Sequence, residues 1–314
     1  MSWKDASDAR SKKILAVVGP TGVGKTALGI ELAERFGGEI VNFDSVQVYR
    51  YLDIGTAKPT PEERARAPHH LIDILEPDEP FNAAAFVERA DCVIAEIVAR
   101  GKVPILVGGT GLYLRALLHG LFPVEVPEEL RRTLRERLKR EGLSVLYQEL
   151  RRRDPEAARR IHPHDRVRVL RALEVCLATG KTFSEMVRTH AFRERRYKAL
   201  KIGLHLPRDE LYRRLNERVD RMLEAGLLEE VKALLERGFS PNLKPLQSIG
   251  YRHMIAYLKG EVSLEEAVRL MKRDTRRYAK RQLTWFRADP EVKWFLPTER
   301  EGIFAEVERF LLEV

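Results

Sequence analysis

The chain has 314 residues, 44% hydrophobic and 33% charged, with a formal net charge of +9 and a sequence pI of about 9.5. That length can bury a substantial core, one α/β domain with a smaller domain inserted or appended. Cys92 and Cys176 are the only cysteines and neither has a Cys or His neighbour at metal-ligand spacing, which leaves a disulfide or zinc reading without support and points to a reducing compartment. Residues 1–13 are polar and lack an apolar leader core, and no apolar run is long enough to cross a bilayer, so a cytoplasmic protein without membrane attachment is expected.

In chain order, the apolar run 14–18 reads as a buried strand and 27–36 as a helix. Between them lies Gly19-Pro20-Thr21-Gly22-Val23-Gly24-Lys25-Thr26, a complete G-x-x-x-x-G-K-[ST] loop in the strand and helix context that a phosphate-binding loop requires. Glycines let backbone N–H groups converge on an anion, the helix adds its positive dipole end, Lys25 adds a point charge, and Thr26 is placed to hold a magnesium ion. After Gly37-Gly38, residues 39–43 read as a second strand that delivers Asp44, Ser45, Val46 and Gln47 at its carboxyl end, where ligands of open parallel sheets bind. Asn82 caps a helix running to Arg100, Gly101 ends it, and strand 103–107 opens into Gly108-Gly109-Thr110-Gly111 and another helix.

Strand signals fade beyond Leu121. Residues 127–189 are helical and Arg-rich, broken at Gly142, Asp154-Pro155, His162-Pro163 and Gly180, as in a small bundle. Strand 199–206 returns the chain to the core, followed by helices 209–225 and 227–237 and a long helix opened by Ser263 with Glu266 three residues on, a capping box. The expected fold is α/β, a P-loop NTPase-like parallel sheet core from 1–120 and 195–314, with an inserted helical domain at 121–194 and a helical C-terminal part.

Charge is unevenly placed. Residues 128–171 hold 14 Lys/Arg against 8 Asp/Glu, and residues 269–287 hold 8 basic residues against the single acid Asp274. Either segment alone reads as a solvated face; two of them in a phosphate-binding protein favour a polyanion, most plausibly nucleic acid. Asp44 is either a general base for an incoming nucleophile or a partner of Thr26 and its metal. Along 209–225 the apolar stripe Leu211, Leu215, Val219 and Met222 runs beside Arg214, Arg218 and Arg221, arginines that either approach phosphates or pair with Glu217 and Glu224.

Eight blocks together carry a family resemblance: residues 19–26 (GPTGVGKT), 44–49 (DSVQVY), 53–59 (DIGTAKP), 68–71 (PHHL), 107–113 (VGGTGLY), 161–163 (IHP), 171–175 (RALEV) and 249–252 (IGYR). In this order they resemble the motifs of tRNA dimethylallyltransferases of the compact bacterial type, over nearly the whole chain to about Trp285. The resemblance implies transfer of a dimethylallyl group from dimethylallyl diphosphate to N6 of adenosine 37 in the tRNA anticodon loop, with Mg²⁺ as cofactor and no protein partner. Lys25, Thr26 and the loop N–H groups would hold the diphosphate, Asp44 would take the amine proton, Thr110 would lie at the reacting nucleotide and Arg218 would clamp the diphosphate. Asp44, Ser45, Val46, Gln47, Thr110, Arg131, Val167, Arg168, Arg171, Gly250, Tyr251 and Arg252 would contact tRNA. The chain departs from the family pattern at Val167, in place of a Gln, and at His253, also in place of a Gln. Three other readings share the loop: a small-molecule kinase, an adenylate isopentenyltransferase acting on free AMP or ADP, and a non-catalytic RNA-binding module.

Overall fold

Six all-parallel strands form the sheet in this computed structural model, which describes residues 13–121, 124–190 and 194–313. The chain divides into two compact units, residues 1–118 with 195–314, and residues 119–194. The segments 122–123 and 191–193 at the ends of the expected insert, and the polar N-terminus before Lys13, lie outside the described residues.

The first unit runs β1 (Lys13–Val18), α1 (Lys25–Phe36), β2 (Gly38–Asn42), α2 (Pro61–Arg66), β3 (His69–His70), α3 (Ala83–Ala99), β4 (Val103–Val107) and α4 (Gly111–His119). The second holds α5 (Glu128–Glu141), α6 (Leu143–Arg153), α7 (Pro155–Arg160), α8 (Arg166–Thr179) and α9 (Phe183–His190). The first unit resumes with β5 (Lys198–Leu204), α10 (Arg208–Glu224), α11 (Leu227–Glu236), α12 (Tyr251–Leu258), α13 (Leu264–Arg287), β6 (Val292–Phe295) and α14 (Arg300–Leu312). Strand order is β3-β2-β4-β1-β5-β6. β1 is therefore central, buried on both faces as parallel strands are, and its register pairs Val17 with Val107 on one side and Ile202 on the other.

Helices cover both faces. One apolar cluster joins Ile14, Ala16 and Val18 of β1 to α3, α4, α11, α12 and α13; the other joins Leu15 and Val17 to Leu28, Ile30 and Leu32 of α1 and to Ile303 and Val307 of α14. The alternation of β1 side chains between the two clusters is the period-two geometry of a strand. Asn82 caps α3 through its Oδ1, which accepts from the N–H groups of Ala84 and Ala85 at 2.9 and 3.1 Å. The second unit packs Leu134, Leu146, Leu150, Val169 and Leu173 together, and the buried Asp154 carboxylate caps α7 and accepts from Ser184 N–H and Oγ at 2.7 and 2.8 Å.

The observed strands and helices agree with the expected α/β class, with three local differences. β3 and β6, two and four residues long, were too short to register as periodic patterns. α1 begins at Lys25 rather than Ala27, so the loop's lysine and threonine form the first turn of the helix. The expected capping box at Ser263 is half made: Ser263 Oγ accepts from Glu266 N–H at 3.2 Å, while the Glu266 carboxylate pairs with Arg269 at 2.6 Å. No helix among the described residues is long and apolar enough to cross a membrane.

Candidate active site

β1 ends at Val18 and the backbone turns at Gly19, where φ is +136° and a Cβ would stand 2.5 Å from the Leu204 carbonyl oxygen. Only glycine lets the loop leave β1 so close to β5. Gly24, with φ of +99°, is the N-cap of α1, and a left-handed residue there turns the chain into the helix whose first N–H groups have no intrahelical partner. Lys25 Nζ donates to Pro20 O across the loop at 2.8 Å. Burial lowers the Lys25 pKa from the ordinary 10.5 to about 7, with the Arg218 cation pushing the same way and Asp44 opposing.

Asp44 follows β2 at the same carboxyl edge of the sheet. Its Oδ1 accepts from Val46 and Gln47 N–H at 2.8 and 3.2 Å, an Asx turn that fixes the carboxylate, and Ser45 N–H donates to Thr110 Oγ1 at 3.2 Å in the loop after β4. Arg218 comes from α10 and is also held below its ordinary pKa, by burial first, with Asp44 opposing and Arg221 adding to the depression. Leu211, Leu215 and Val219 of the same helix are buried, and the ion pairs on its outer side are Arg213–Glu217 and Arg214–Glu210, which leaves Arg218 on the inner side with the site. Two cations and one carboxylate, each partly buried and within electrostatic reach of the others, form a concentrated field for anionic chemistry.

A cavity of about 310 Å³ opens here, lined by Thr21, Asp44, Ser45, Val46, Arg218, Ile249, Arg252, Tyr278 and Arg281 among others. Its apolar walls are Val46, Val219, Met222, Ile249 and Met271. A second, wider cleft of about 1020 Å³ is lined by Gly22, Lys58, Arg64, Arg213, Arg214, Arg218 and Arg221, so Arg218 and Met222 border both. The segment 53–55 that runs past both is tied down by Glu230 of α11, whose carboxylate accepts from the N–H groups of Asp53, Ile54 and Gly55 at 3.0, 2.7 and 3.2 Å and from Tyr251 Oη at 2.6 Å.

Comparison with known proteins decides the family. The profile described as IPP transferase matches residues 47–289, and that of isopentenyl transferase matches residues 12–73. The chain is 55% identical over 300 residues to tRNA dimethylallyltransferase 2 of Syntrophus aciditrophicus, covering 95% of this chain and 96% of that one. This chain belongs to the IPP transferase family. Among solved structures, the full-length tRNA isopentenylpyrophosphate transferase of Bacillus halodurans is 44% identical with a TM-score of 0.71, over 96% of this chain and 95% of that one. A eukaryotic dimethylallyltransferase captured acting on tRNA is 33% identical with a TM-score of 0.79, over 95% of this chain and 77% of the other.

Within this family member the structure brings Lys25, Thr26, Asp44, Ser45, Thr110 and Arg218 to one edge of the sheet. Gly250 and Arg252 stand at the start of α12, with Arg252 lining the smaller cavity and paired to Asp274 at 2.6 Å. His253 Nδ1 accepts from Gly250 N–H at 3.3 Å and its Nε2 faces Asp274 at 3.2 Å; burial and then Arg252 hold the ring below its ordinary pKa, so it is the neutral tautomer donating to Asp274. Tyr251 is placed otherwise than an RNA contact would be: its side chain is fully buried, and its hydroxyl serves Glu230. Gln47 Nε2 donates to the carbonyls of Thr56 and Ala57 at 3.0 and 3.2 Å. Arg131, Val167, Arg168 and Arg171 all belong to the second unit; Val167 is 76% exposed, and the three arginines pair loosely with Glu128, Asp165 and Glu174 at 3.2 to 3.4 Å. Sequence reasoning missed Met271, Thr275, Tyr278, Arg281 and Gln282 of α13 as site residues. Their signal was the spacing 271, 275, 278, 282, one helical face, hidden in a segment read for its charge.

Proposed function

We propose that this chain transfers a dimethylallyl group from dimethylallyl diphosphate to N6 of adenosine 37 of tRNA. The observation that carries the reading is the convergence of Lys25, Arg218 and Asp44 beside one cavity with an apolar wall. The cations suit a diphosphate, the wall of Val46, Val219, Met222, Ile249 and Met271 suits a five-carbon chain, and the carboxylate suits an amine proton. In the step, the N6 lone pair forms a bond to C1 of the dimethylallyl group. The C1–O bond breaks with its electron pair passing to diphosphate, and the amine proton goes to Asp44. Lys25, Arg218 and the loop N–H groups meet the charge that develops on the leaving oxygen, the kind of term worth about 3–4 kcal/mol per well-placed donor.

A magnesium ion fits the donors in part. The Thr26 hydroxyl stands in the first turn of α1 without a hydrogen bond among the described residues, and those residues contain no cluster of three acidic, His or Cys side chains. Such a sparse protein set suits magnesium, which takes the rest of its shell from phosphate oxygens and water. Thr26 would hold it, and bound there it would neutralise diphosphate charge.

The basic residues of α5, α6 and α8 in the second unit and of α13 supply phosphate contacts for an anticodon stem-loop. The target base has to leave its stack, at a cost of a few kcal/mol, and those contacts offset it. The same reading places the protein with its tRNA in the cytoplasm. The test is incubation with labelled dimethylallyl diphosphate and a synthetic anticodon stem-loop, its guanosine-37 version, or free AMP. Label in the adenosine-37 stem-loop alone is expected; efficient labelling of AMP would move the assignment to nucleotide-accepting transferases.

A further inference from the structure

Gln282 is buried on the inner face of α13, 261 residues from the phosphate loop in sequence, and every polar atom of its amide is engaged there. Its Oε1 accepts from Thr21 N–H at 2.8 Å, and its Nε2 donates to Gly109 O at 3.0 Å. Tyr278, one turn earlier and lining the smaller cavity, is held above its ordinary pKa by burial, with Gln282 as a hydrogen-bond donor pulling the other way.

The two partners matter because of what they are joined to. Thr21 N–H and Pro20 C=O belong to one planar trans peptide and point in opposite directions. Gln282 holds the N–H, and Lys25 Nζ binds the carbonyl at 2.8 Å. On the other side Gly109 precedes Thr110, whose hydroxyl accepts from Ser45 N–H, next to Asp44. Gly109 has no room for a side chain because the Gln282 amide occupies the place: a Cβ there would lie 2.1 Å from Nε2. A continuous polar path thus runs from Lys25 through the 20–21 peptide, Gln282, Gly109, Thr110 and Ser45 to Asp44.

We infer that Gln282 is a positioning residue that sets the phosphate loop against the Thr110 loop, and through them the separation of Lys25 from Asp44. It lines neither cavity. It orients the peptide that seats the lysine and the loop that seats the carboxylate, so its loss misplaces two groups that must act in the same step. Small misplacements of that kind are expensive in rate even where binding survives.

The inference rests on the transferase reading for the assay alone. Gln282→Leu keeps volume and removes the hydrogen bonds to Thr21, Gly109 and Tyr278; Gln282→Glu keeps the acceptor and loses the donor except when the introduced carboxyl is protonated. At pH 8, Gln282→Leu is expected to lower kcat for transfer to the stem-loop by about 100-fold or more, with KM for the stem-loop within about twofold of wild type. The Gln282→Glu to wild-type ratio of kcat is expected to rise as pH falls from 8.5 to 6, because the protonated carboxyl donates to Gly109 O again. Measured at saturating donor, whose diphosphate keeps Lys25 charged, the ratio reports residue 282: Asp44, Arg218 and Arg281 are common to both proteins, and Tyr278, held above its ordinary pKa, stays neutral over this range. Gly109→Ala should show the same kcat defect, and combined with Gln282→Leu it should add little further loss. Wild-type kinetics for Gln282→Leu, a flat Gln282→Glu ratio, or fully additive losses would each overturn the inference. If Gln282→Leu does not fold, the other two variants still decide. A wild-type protein that transfers nothing to the stem-loop would instead overturn the proposed function.

Discussion

Lys25 should take up a proton when diphosphate binds. With its pKa at about 7 in the free protein, the lysine is about 90% charged at pH 6 and about 10% charged at pH 8. A bound diphosphate favours the ammonium and raises that pKa, so only the protonated fraction binds without first recruiting a proton. The dissociation constant for inorganic diphosphate should therefore weaken about tenfold from pH 6 to pH 8, about 1.4 kcal/mol, over and above the ionisation of diphosphate itself. Titration calorimetry in buffers of different ionisation enthalpy measures the uptake directly: near zero at pH 6 and approaching one proton per diphosphate at pH 8. Lys25→Arg supplies the baseline, because a guanidinium stays charged throughout. The neighbours set the direction of further shifts: Arg218→Met should move the transition to higher pH, and Asp44→Asn should move it lower. For the free protein the sign is also fixed. Between about 7 and 10.5 the unfolded chain binds a proton that the folded one does not, so this group makes the fold more stable as pH rises through that window. Identical pH dependence in wild type and Lys25→Arg, or no buffer dependence of the heat at pH 8, would refute the reasoning.

Asp44→Asn keeps the Asx turn and removes basicity; kcat should fall by about 10²–10⁴-fold, while stem-loop binding, followed by fluorescence anisotropy, changes little. Arg131→Ala or Arg168→Ala should flatten the slope of log association constant against log salt by about one unit or less per lost phosphate contact, measured with the stem-loop between 50 and 200 mM salt. Glu230→Ala leaves three N–H groups and the buried Tyr251 hydroxyl without their acceptor, and urea unfolding should show a loss of about 2–4 kcal/mol. Glu230→Gln, which retains an acceptor oxygen, should lose less.

Much of the sheet was legible because its signals are local. The run before Gly19, the Asn82 cap, the Gly101 stop and the stripe of Leu211, Leu215 and Val219 each depend on residues within one or two turns of one another. The position of Asp44 at the carboxyl end of β2 was also legible, since a strand's end is visible wherever its apolar run stops. What escaped was non-local. Gln282 reads as one polar residue among eight basic ones, and its meaning lies in an N–H group 261 residues away. Tyr251, flanked by Gly250 and Arg252, looks exposed in sequence; its ring is buried because Gly55 leaves the space, with a would-be Cβ 2.5 Å from Tyr251 Cε2. His253 stands beside an acid twenty-one residues on, a partner that only the packing of α12 on α13 reveals. Short parallel strands such as β6 are decided by their neighbour, β5, more than by their own four residues.

The central strand has an implication for synthesis on the ribosome. β1 and its phosphate loop are made first, yet β1 is flanked by β4 and by β5, which begins at residue 198, and the loop's own peptide is steadied from residue 282. For most of translation the nascent chain carries an apolar strand with one open edge and a glycine-rich loop whose contacts to β5 and α13 are still unmade. The loop's full set of contacts is therefore in place only once α13 has been made. A chain stopped short of α13 completes the centre of the sheet without the Gln282 contact that steadies the loop.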